Sequence, residues 1–452
     1  MLIARDEAVR ESYAADASGL RLLPDGVARP TSEREVVELL RESAATGTPV
    51  TPAGGQTSTT AASITDRGTL LSLRALDRVL DLDVPRRIVR VQAGALLGDV
   101  KRLAAEHGLL FAPDPTSEDE CTVGGAIACN ASGARTLAYG ATRAHVRALR
   151  VALADGSVLD VHRPGLEKNT AGFALAAEPV DWFVGSEGTL GVVLEAELAL
   201  LPRPAHVTGL AIPFAGEADA LAFVVAARES REVRPRCLEF FDAASAALFL
   251  GAGGQPASGV GSLVYVEETA GSEDEVPLDA WLALAERHHA LEGDVRAYAD
   301  EAALRAARRM RHAVPATMNE RGNAFRPAGG RKVSTDWAVP YARLADAVAF
   351  ARLAADRAGI EQPLIYGHAG NGHPHQNFVA RDAAELGRVE AAVEETLRHV
   401  LTLGGTVAAE HGIGKLKRRW LPLQLTPVQL GVMRAVKREL DPLGLLSPGN
   451  VL

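Results

Sequence analysis

Along the first half of the chain, apolar positions alternate between the two-residue spacing of strands and the wider spacing of helices. Ser32-Glu33-Arg34-Glu35 has capping-box spacing, and Val36, Val37, Leu39 and Leu40 then follow one helical face as far as Gly47. Residues 49–52 predict a short strand broken by Gly54-Gly55, and residues 70–73 and 87–91 predict two more. A helix is predicted over 97–107, closed by Gly108. Runs at 146–153 and 158–161 flank Asp155-Gly156, which predicts a hairpin, and 189–201 is strand-like up to Pro202-Arg203-Pro204.

Beyond that proline pair the pattern changes to longer helices with fewer glycines, so a domain boundary is set there. Helices are predicted over 218–228, 277–289, 301–320, 340–357 and 383–403, with strands at 261–267, 332–339, 364–367 and 375–379. This makes the second half α+β. Residues 251–261 read as a mobile loop.

The 452 residues suffice for two or three domains of about 150 each. Basic side chains number 48 and acidic ones 57, a net charge of −9 without a long run of either sign, which argues against nucleic acid as a partner. The three cysteines, Cys121, Cys129 and Cys237, are too few for a disulfide framework or a four-thiolate iron–sulfur cluster. The start of the chain mixes Arg5 with Asp6 and Glu7, and no apolar stretch nears the roughly 18 residues of a spanning helix. No signal peptide or transmembrane segment is expected, and a cytoplasmic protein is, with a peripheral place on the inner membrane face as the variant.

The 43 glycines cluster. Pro52-Ala53-Gly54-Gly55-Gln56-Thr57-Ser58 joins a strand to hydroxylated residues. Without Cβ atoms such a loop can set successive backbone N–H groups on an anion such as pyrophosphate, with Thr57 and Ser58 as further donors; the alternative is a tight turn. It is neither a Rossmann fingerprint nor a Walker loop. A second segment holds Pro115-Thr116, Gly124-Gly125-Ala126, Ser132-Gly133 and Tyr139-Gly140, and a third runs Gly185-Ser186-Glu187-Gly188-Thr189-Leu190-Gly191 before Val192. Three small-residue loops feeding strands suit a long ligand lying against backbone, as a dinucleotide would.

Three of the 12 histidines, His368, His373 and His375, fall within eight residues, where an even spread would place about 0.2. Two strands around Ala369-Gly370-Asn371-Gly372 would bring them together, with His373 and His375 on one face, a geometry that suits a metal. The other reading is ordinary polar strand ends. Glu410-His411-Gly412-Ile413-Gly414 sets a carboxylate beside a further imidazole.

The order of the three glycine segments, with Ala154-Asp155-Gly156 between the last two, resembles the flavin-binding domain of the vanillyl-alcohol oxidase type. The branch is that of D-lactate dehydrogenase, the glycolate oxidase flavoprotein subunit and D-2-hydroxyglutarate dehydrogenase. The resemblance extends to the C-terminal Asp441-Pro442-Leu443-Gly444-Leu445-Leu446-Ser447-Pro448-Gly449. It implies an α+β fold: a two-part FAD-binding domain plus an α+β cap with a central antiparallel sheet. The expected boundaries are 1–205 for the FAD domain, 206–419 for the cap and 420–452 for a segment returning to the FAD domain.

In this resemblance the first segment (Pro52, Gly54, Gly55, Gln56, Thr57, Ser58) cradles the FAD pyrophosphate. The second (Pro115, Thr116, Gly124, Gly125, Ala126, Ser132, Gly133, Tyr139) and the third (Glu187, Gly188, Gly191, Val192) line the flavin. Ala53 stands where many relatives carry Arg, and the first loop has no His, so noncovalent FAD is expected. His368, His375 and Glu410 become ligands of Zn²⁺ or Mn²⁺, and His411 the general base. His373 replaces an Asn near the substrate carboxylate, where it touches substrate or adds a fourth nitrogen to the metal. Arg311 and Lys332 match the carboxylate-binding positions, whereas Arg308 and Arg309 read as a solvated helix face. The basic run Lys415, Lys417, Arg418 and Arg419 reads as solvated too, with an acidic partner or a membrane surface as the alternative.

Such chemistry explains why a metal and a base would occur together. An alcohol proton held as tightly as that of water, pKa 15.7, lies about 9 units above imidazole, on the order of 12 kcal/mol uphill. A Lewis acid on the substrate oxygen removes most of that gap. The expected activity is oxidation of a small D-2-hydroxy acid (D-lactate, glycolate or D-2-hydroxyglutarate) to the 2-oxo acid, with hydride passing to flavin N5. Electrons then leave to a quinone, a cytochrome, an electron-transfer flavoprotein or an iron–sulfur subunit. A homodimer is compatible with all of this. The rival readings are a flavin transferase resembling alkylglycerone-phosphate synthase and a non-catalytic flavin-binding subunit.

Overall fold

The first helix that the spacing predicts forms at Glu33–Thr46 in a computed structural model, which describes residues 3–173, 177–254 and 258–452. Ser32 Oγ accepts from the Glu35 N–H at 3.4 Å, but the Glu35 carboxylate turns back to the Thr31 N–H at 2.7 Å, so the capping box closes on the residue before the cap. Gly47, at φ 69°, ends the helix. Val36, Leu39 and Leu40 are buried against Leu71, Val192 and Leu194.

Contacts divide the chain into two units, one made of the residues up to Ser132 with Gly140–Arg203 and Glu410–Leu452, the other of Gly133–Tyr139 with Pro204–Ala409. In the first unit Gly26–Ala28 and Val50–Ala53 run parallel to Thr69–Ser72, which lies between them, and Ile3–Ala4 pairs antiparallel at one edge. A second, antiparallel sheet has the order Val79–Asp83, Ile88–Gln92, Val192–Ala199, Val146–Ala152, Val158–His162. Its apolar side packs on Val100, Phe111, Ile127 and Phe183. The hairpin at Asp155-Gly156 forms as the spacing predicts, with Gly156 at φ 76°.

The second unit is built on seven antiparallel strands in the order Arg296–Tyr298, His206–Phe214, Ser262–Ala270, Pro235–Asp242, Leu364–His368, His373–Asp382, Gly329–Thr335. On one face the helices Ala243–Ala252 and Glu301–Ala324 cover Phe241, Tyr265, Leu364 and Tyr366 with Phe249, Met310 and Val314. Phe223 and Trp281 pack beside Phe214, which alternation sends to the other face. Among the described residues no helix is long and apolar enough to cross a membrane.

Several expectations need correction. Residues 206–214, 235–242 and 427–440 carry two strands and a helix that the spacing did not show. The strand expected to reach 339 stops at Thr335, and the helix expected from 340 starts at Leu344 after a single tight turn at Tyr341–Arg343. The return to the first unit begins at Glu410, ahead of 420, because residues 413–415 bond to Glu187 and Thr60. The short stretch Gly133–Tyr139 joins the second unit, where Arg135 pairs with Glu267 at 3.1 Å and Leu137 packs on Gly370. Of the loop expected at 251–261, Gly251 and Ala252 end a helix and residues 255–257 lie outside the described residues.

Candidate functional site

In the first unit the glycine segments close on one another. A Cβ on Gly55 would stand 2.1 Å from the Glu120 carbonyl, one on Gly54 2.1 Å from Thr122 Oγ1, and one on Gly188 2.6 Å from Pro52 Cγ. These glycines are therefore required by close backbone packing between segments, a reason the sequence alone did not show. The second segment does not feed a strand as expected. Val123–Cys129 is a short helix with Thr122 as its N-cap, so Gly124, Gly125 and Ala126 are helical, and Gly124 lies against Ala93. The third segment bonds to that helix end, through Gly185 N–H to Ile127 O at 2.9 Å and Glu187 N–H to Ala128 O at 2.8 Å. Gly191 and Val192 belong to the core, against Val151 and Leu71.

The first segment fits an anion. Among the described residues none accepts a hydrogen bond from the backbone N–H groups of Gly54, Gly55, Gln56, Thr57 or Ser58, all of which are half-buried. Gln56 is held at φ 56° by its amide, which donates to Tyr13 O at 3.0 Å and Ser63 O at 3.3 Å. Beside Gly188, the buried Ser447 Oγ has no hydrogen-bond partner among the described residues, as expected of a group that serves a ligand. Of the other expected contacts, Pro115 is half-buried, Thr116 exposed, and Gly133 and Tyr139 lie in the second unit.

The loop Glu410–Gly414 is fastened within the first unit by four hydrogen bonds from three residues. Ser132 Oγ donates to Glu410 Oε2 at 3.0 Å, Thr60 Oγ1 donates to His411 O at 3.3 Å, and the Glu187 carboxylate accepts from Ile413 N–H and Gly414 N–H at 2.6 and 2.7 Å. The second and third glycine segments, and Thr60 two residues past the first, thus supply the ties. Burial pushes the Glu187 carboxyl up, against the pull of those two N–H groups and of Lys417 and Lys415. His411 Nε2 stands 3.6 Å from Glu410 Oε1.

The basic run after this loop is not uniformly solvated. Arg418 and Arg419 are exposed, but Lys417 is buried, and burial brings its ammonium down to about 7. Lys415 donates to Asn450 Oδ1 at 2.6 Å and Ala61 O at 3.2 Å, and burial lowers it to about 8 from its ordinary 10.5 despite Asp16, Glu187 and Asp66 nearby. Between those values the unfolded chain holds a proton that the folded chain has released, so this group makes stability rise with pH from about 8 to about 10.5. A Lys415→Met variant lacks the titration. The melting temperature of the native chain is therefore expected to gain on that of the variant between pH 8 and 10, and a gap that stays constant counts against the assignment.

In the second unit the predicted turn forms. Leu364–His368 and His373–Asp382 pair around Ala369–Asn371, with His368 opposite His373 and Gly372 at φ 67°. The ring centroids lie 5.3 Å (His368–His373), 5.3 Å (His368–His375) and 4.8 Å (His373–His375) apart, and all three rings are buried. A ring nitrogen of His368 and one of His375 are within 4.8 Å of one another.

The register Phe240↔Gly367 brings Glu239 to His368, whose Nδ1 donates to Glu239 Oε1 at 2.5 Å. Arg311 Nε donates to the other oxygen at 3.1 Å, and its guanidinium lies 5.7 Å from the Tyr366 ring centre. Burial would raise the Glu239 carboxyl, but His368 and Arg311 hold it at about 2. A carboxylate on Nδ1 fixes the tautomer with the lone pair on Nε2, the arrangement of metal-binding histidines, so imidazole nitrogens of this kind fit a Zn²⁺ or Mn²⁺ ion.

Sequence reasoning missed Glu239. Its signal was a charged residue inside the apolar run Cys237-Leu238-Glu239-Phe240-Phe241. Lys332 does not join the cluster. It pairs with Val379, beyond His375 along the strand, and its Nζ donates to Asn319 Oδ1 at 2.9 Å, with burial lowering it to about 8. Arg309 is exposed and Arg308 half-buried.

The backbone fold and these two sets of residues define a two-domain flavin oxidoreductase. Residues 24–162 match the FAD binding domain, and residues 203–451 match the C-terminal domain of FAD-linked oxidases. The chain belongs to the FAD-linked oxidase family. It is 32% identical to a D-lactate dehydrogenase of Archaeoglobus fulgidus, with 94% of this chain and 91% of that one covered. It is 30% identical to the glycolate oxidase subunit GlcD of Bacillus subtilis, with 97% and 91% covered. In fold it is similar to a solved alkyldihydroxyacetonephosphate synthase, at a TM-score of 0.74 and 17% identity over 99% of this chain and 83% of that one.

Proposed function

We propose that the chain oxidises a small D-2-hydroxy acid of the D-lactate, glycolate or D-2-hydroxyglutarate type to the 2-oxo acid. FAD, bound noncovalently, would be held through the Gly54–Ser58 loop, and a divalent cation, Zn²⁺ or Mn²⁺, by His368, His375 and Glu410. When bound, the flavin supplies a hydride acceptor and the cation a Lewis acid for the hydroxyl oxygen. His411 takes the hydroxyl proton, and Thr60 holds its backbone for that task. Glu239 orients His368 and fixes Arg311, whose positive charge would bind the substrate carboxylate; His373 stands in the same cluster and would touch the substrate. Lys332 is at most an outer contact. The reduced protein would pass its electrons to a separate acceptor, such as a quinone, a cytochrome, an electron-transfer flavoprotein or an iron–sulfur subunit.

The observation that carries this reading is the fastening of the Glu410–Gly414 loop to the second and third glycine segments through Ser132 and Glu187, and to Thr60, two residues past the first. That arrangement ties a base to the loops expected to hold the flavin. Anaerobic mixing with D-lactate, glycolate and D-2-hydroxyglutarate is expected to bleach the flavin with at least one acid. Metal analysis of the same sample should give about one divalent ion per chain, from the three-ligand set. Flavin colour that persists with every acid favours the transferase or non-catalytic readings, and a metal-free yellow protein that is bleached removes the cation.

A further inference from the structure

We infer that Glu187 is a positioning residue for the general base, an inference that rests on the proposed function and adds a residue to it. Glu187 was expected to line the flavin. Its side chain is instead turned into the protein, where the carboxylate accepts two successive backbone N–H groups, from Ile413 and Gly414 at 2.6 and 2.7 Å. Adjacent N–H groups converging on one anion form a nest.

Three further facts show that the loop is built around this carboxylate. Gly412 is at φ 75° and a Cβ there would stand 2.6 Å from Glu187 Oε1, so only glycine allows the approach. Gly414 is at φ 51° with the Thr60 carbonyl 2.2 Å from a would-be Cβ. Glu187 itself is held at φ 52°, a left-handed conformation that a non-glycine residue adopts at a cost, and its own carbonyl accepts from Asn450 Nδ2 at 3.3 Å.

Glu187 therefore acts through the backbone on His411, the side chain just before the nest, whereas Glu410 has its own tie to Ser132. Its N–H is bonded to the helix of the second glycine segment, at Ala128 O. One residue thus couples the loops expected around the flavin to the imidazole that takes the proton. A glutamine at this position keeps the shape but turns an amide NH₂ toward a backbone N–H. An alanine leaves the nest empty.

The test compares the native chain with Glu187→Gln, His411→Ala and the double variant, each loaded with flavin. Expected for Glu187→Gln is a limiting rate of anaerobic flavin bleaching at least roughly tenfold lower, with substrate affinity and flavin content little changed. The double variant should be no slower than His411→Ala alone, because a residue acting only through His411 has nothing left to position. In Glu187→Ala, added formate should fill the nest and restore part of the rate. Native bleaching rates in Glu187→Gln, or an additive loss in the double variant, would overturn the assignment.

Hydrogen exchange covers the case in which the variants lose flavin or no acid bleaches the native chain. Faster exchange confined to residues 410–417 in Glu187→Gln supports the clamp, and unchanged exchange there refutes it. A native chain that no hydroxy acid reduces refutes the proposed function while leaving this second measurement able to decide the role of Glu187.

Discussion

A His411→Ala variant is expected to remain yellow and folded but to lose reduction by the hydroxy acid by about two to four orders of magnitude. The imidazole is partly buried, and the ties that shape its loop run through the backbone, at His411 O, Ile413 N and Gly414 N, none of which the substitution removes. Removing the ring should therefore leave the fold intact. The loss should appear in the limiting rate of anaerobic bleaching more than in substrate affinity, since a base acts in the transition state. Bleaching at the native rate would strip His411 of its role and turn attention to His373.

The largest effect on the second unit is expected from Glu239→Gln. The carboxylate is 1% exposed, and it is shared by His368 and Arg311. Substituting an amide breaks the buried Arg311–Glu239 ion pair, a change that costs about 3 kcal/mol or more. It also removes the anion that fixes the His368 tautomer, which should weaken metal binding about 10–100-fold. Urea unfolding and metal content measured on one preparation check both. Unchanged stability together with full metal occupancy would show that neither partner depends on Glu239.

Much of the first unit was legible because its elements are short and locally punctuated. Capping at Ser32, the glycines at 47 and 108, and the Asp155-Gly156 turn each set an element boundary through the backbone conformation of one or two residues, which the sequence states directly. The His368–His375 hairpin was legible for the same reason. Less legible were elements whose identity depends on burial. Residues 206–214 and 235–242 are buried along nearly their whole length and so lack the alternation of a half-exposed strand. The glycine segments were recognised, but the reason for Gly54, Gly55 and Gly188 was not. What forbids a side chain there is protein backbone or side chain arriving from other segments.

The sequence by itself determined the chemistry on offer: a cluster of imidazoles, a carboxylate beside a further imidazole, and three glycine-rich segments. It did so because residue type fixes donor atoms, and because glycine and proline act on their own backbone. Tertiary structure alone decided which of these groups meet. Strand register chose Glu239 as the partner of His368 and set Lys332 apart, and the positive φ values at Gly412 and Gly414 became necessary only once Glu187 and Thr60, more than 200 residues earlier, were packed against them. Pairing and close approach are properties of two distant segments at once, so neither segment carries the information alone.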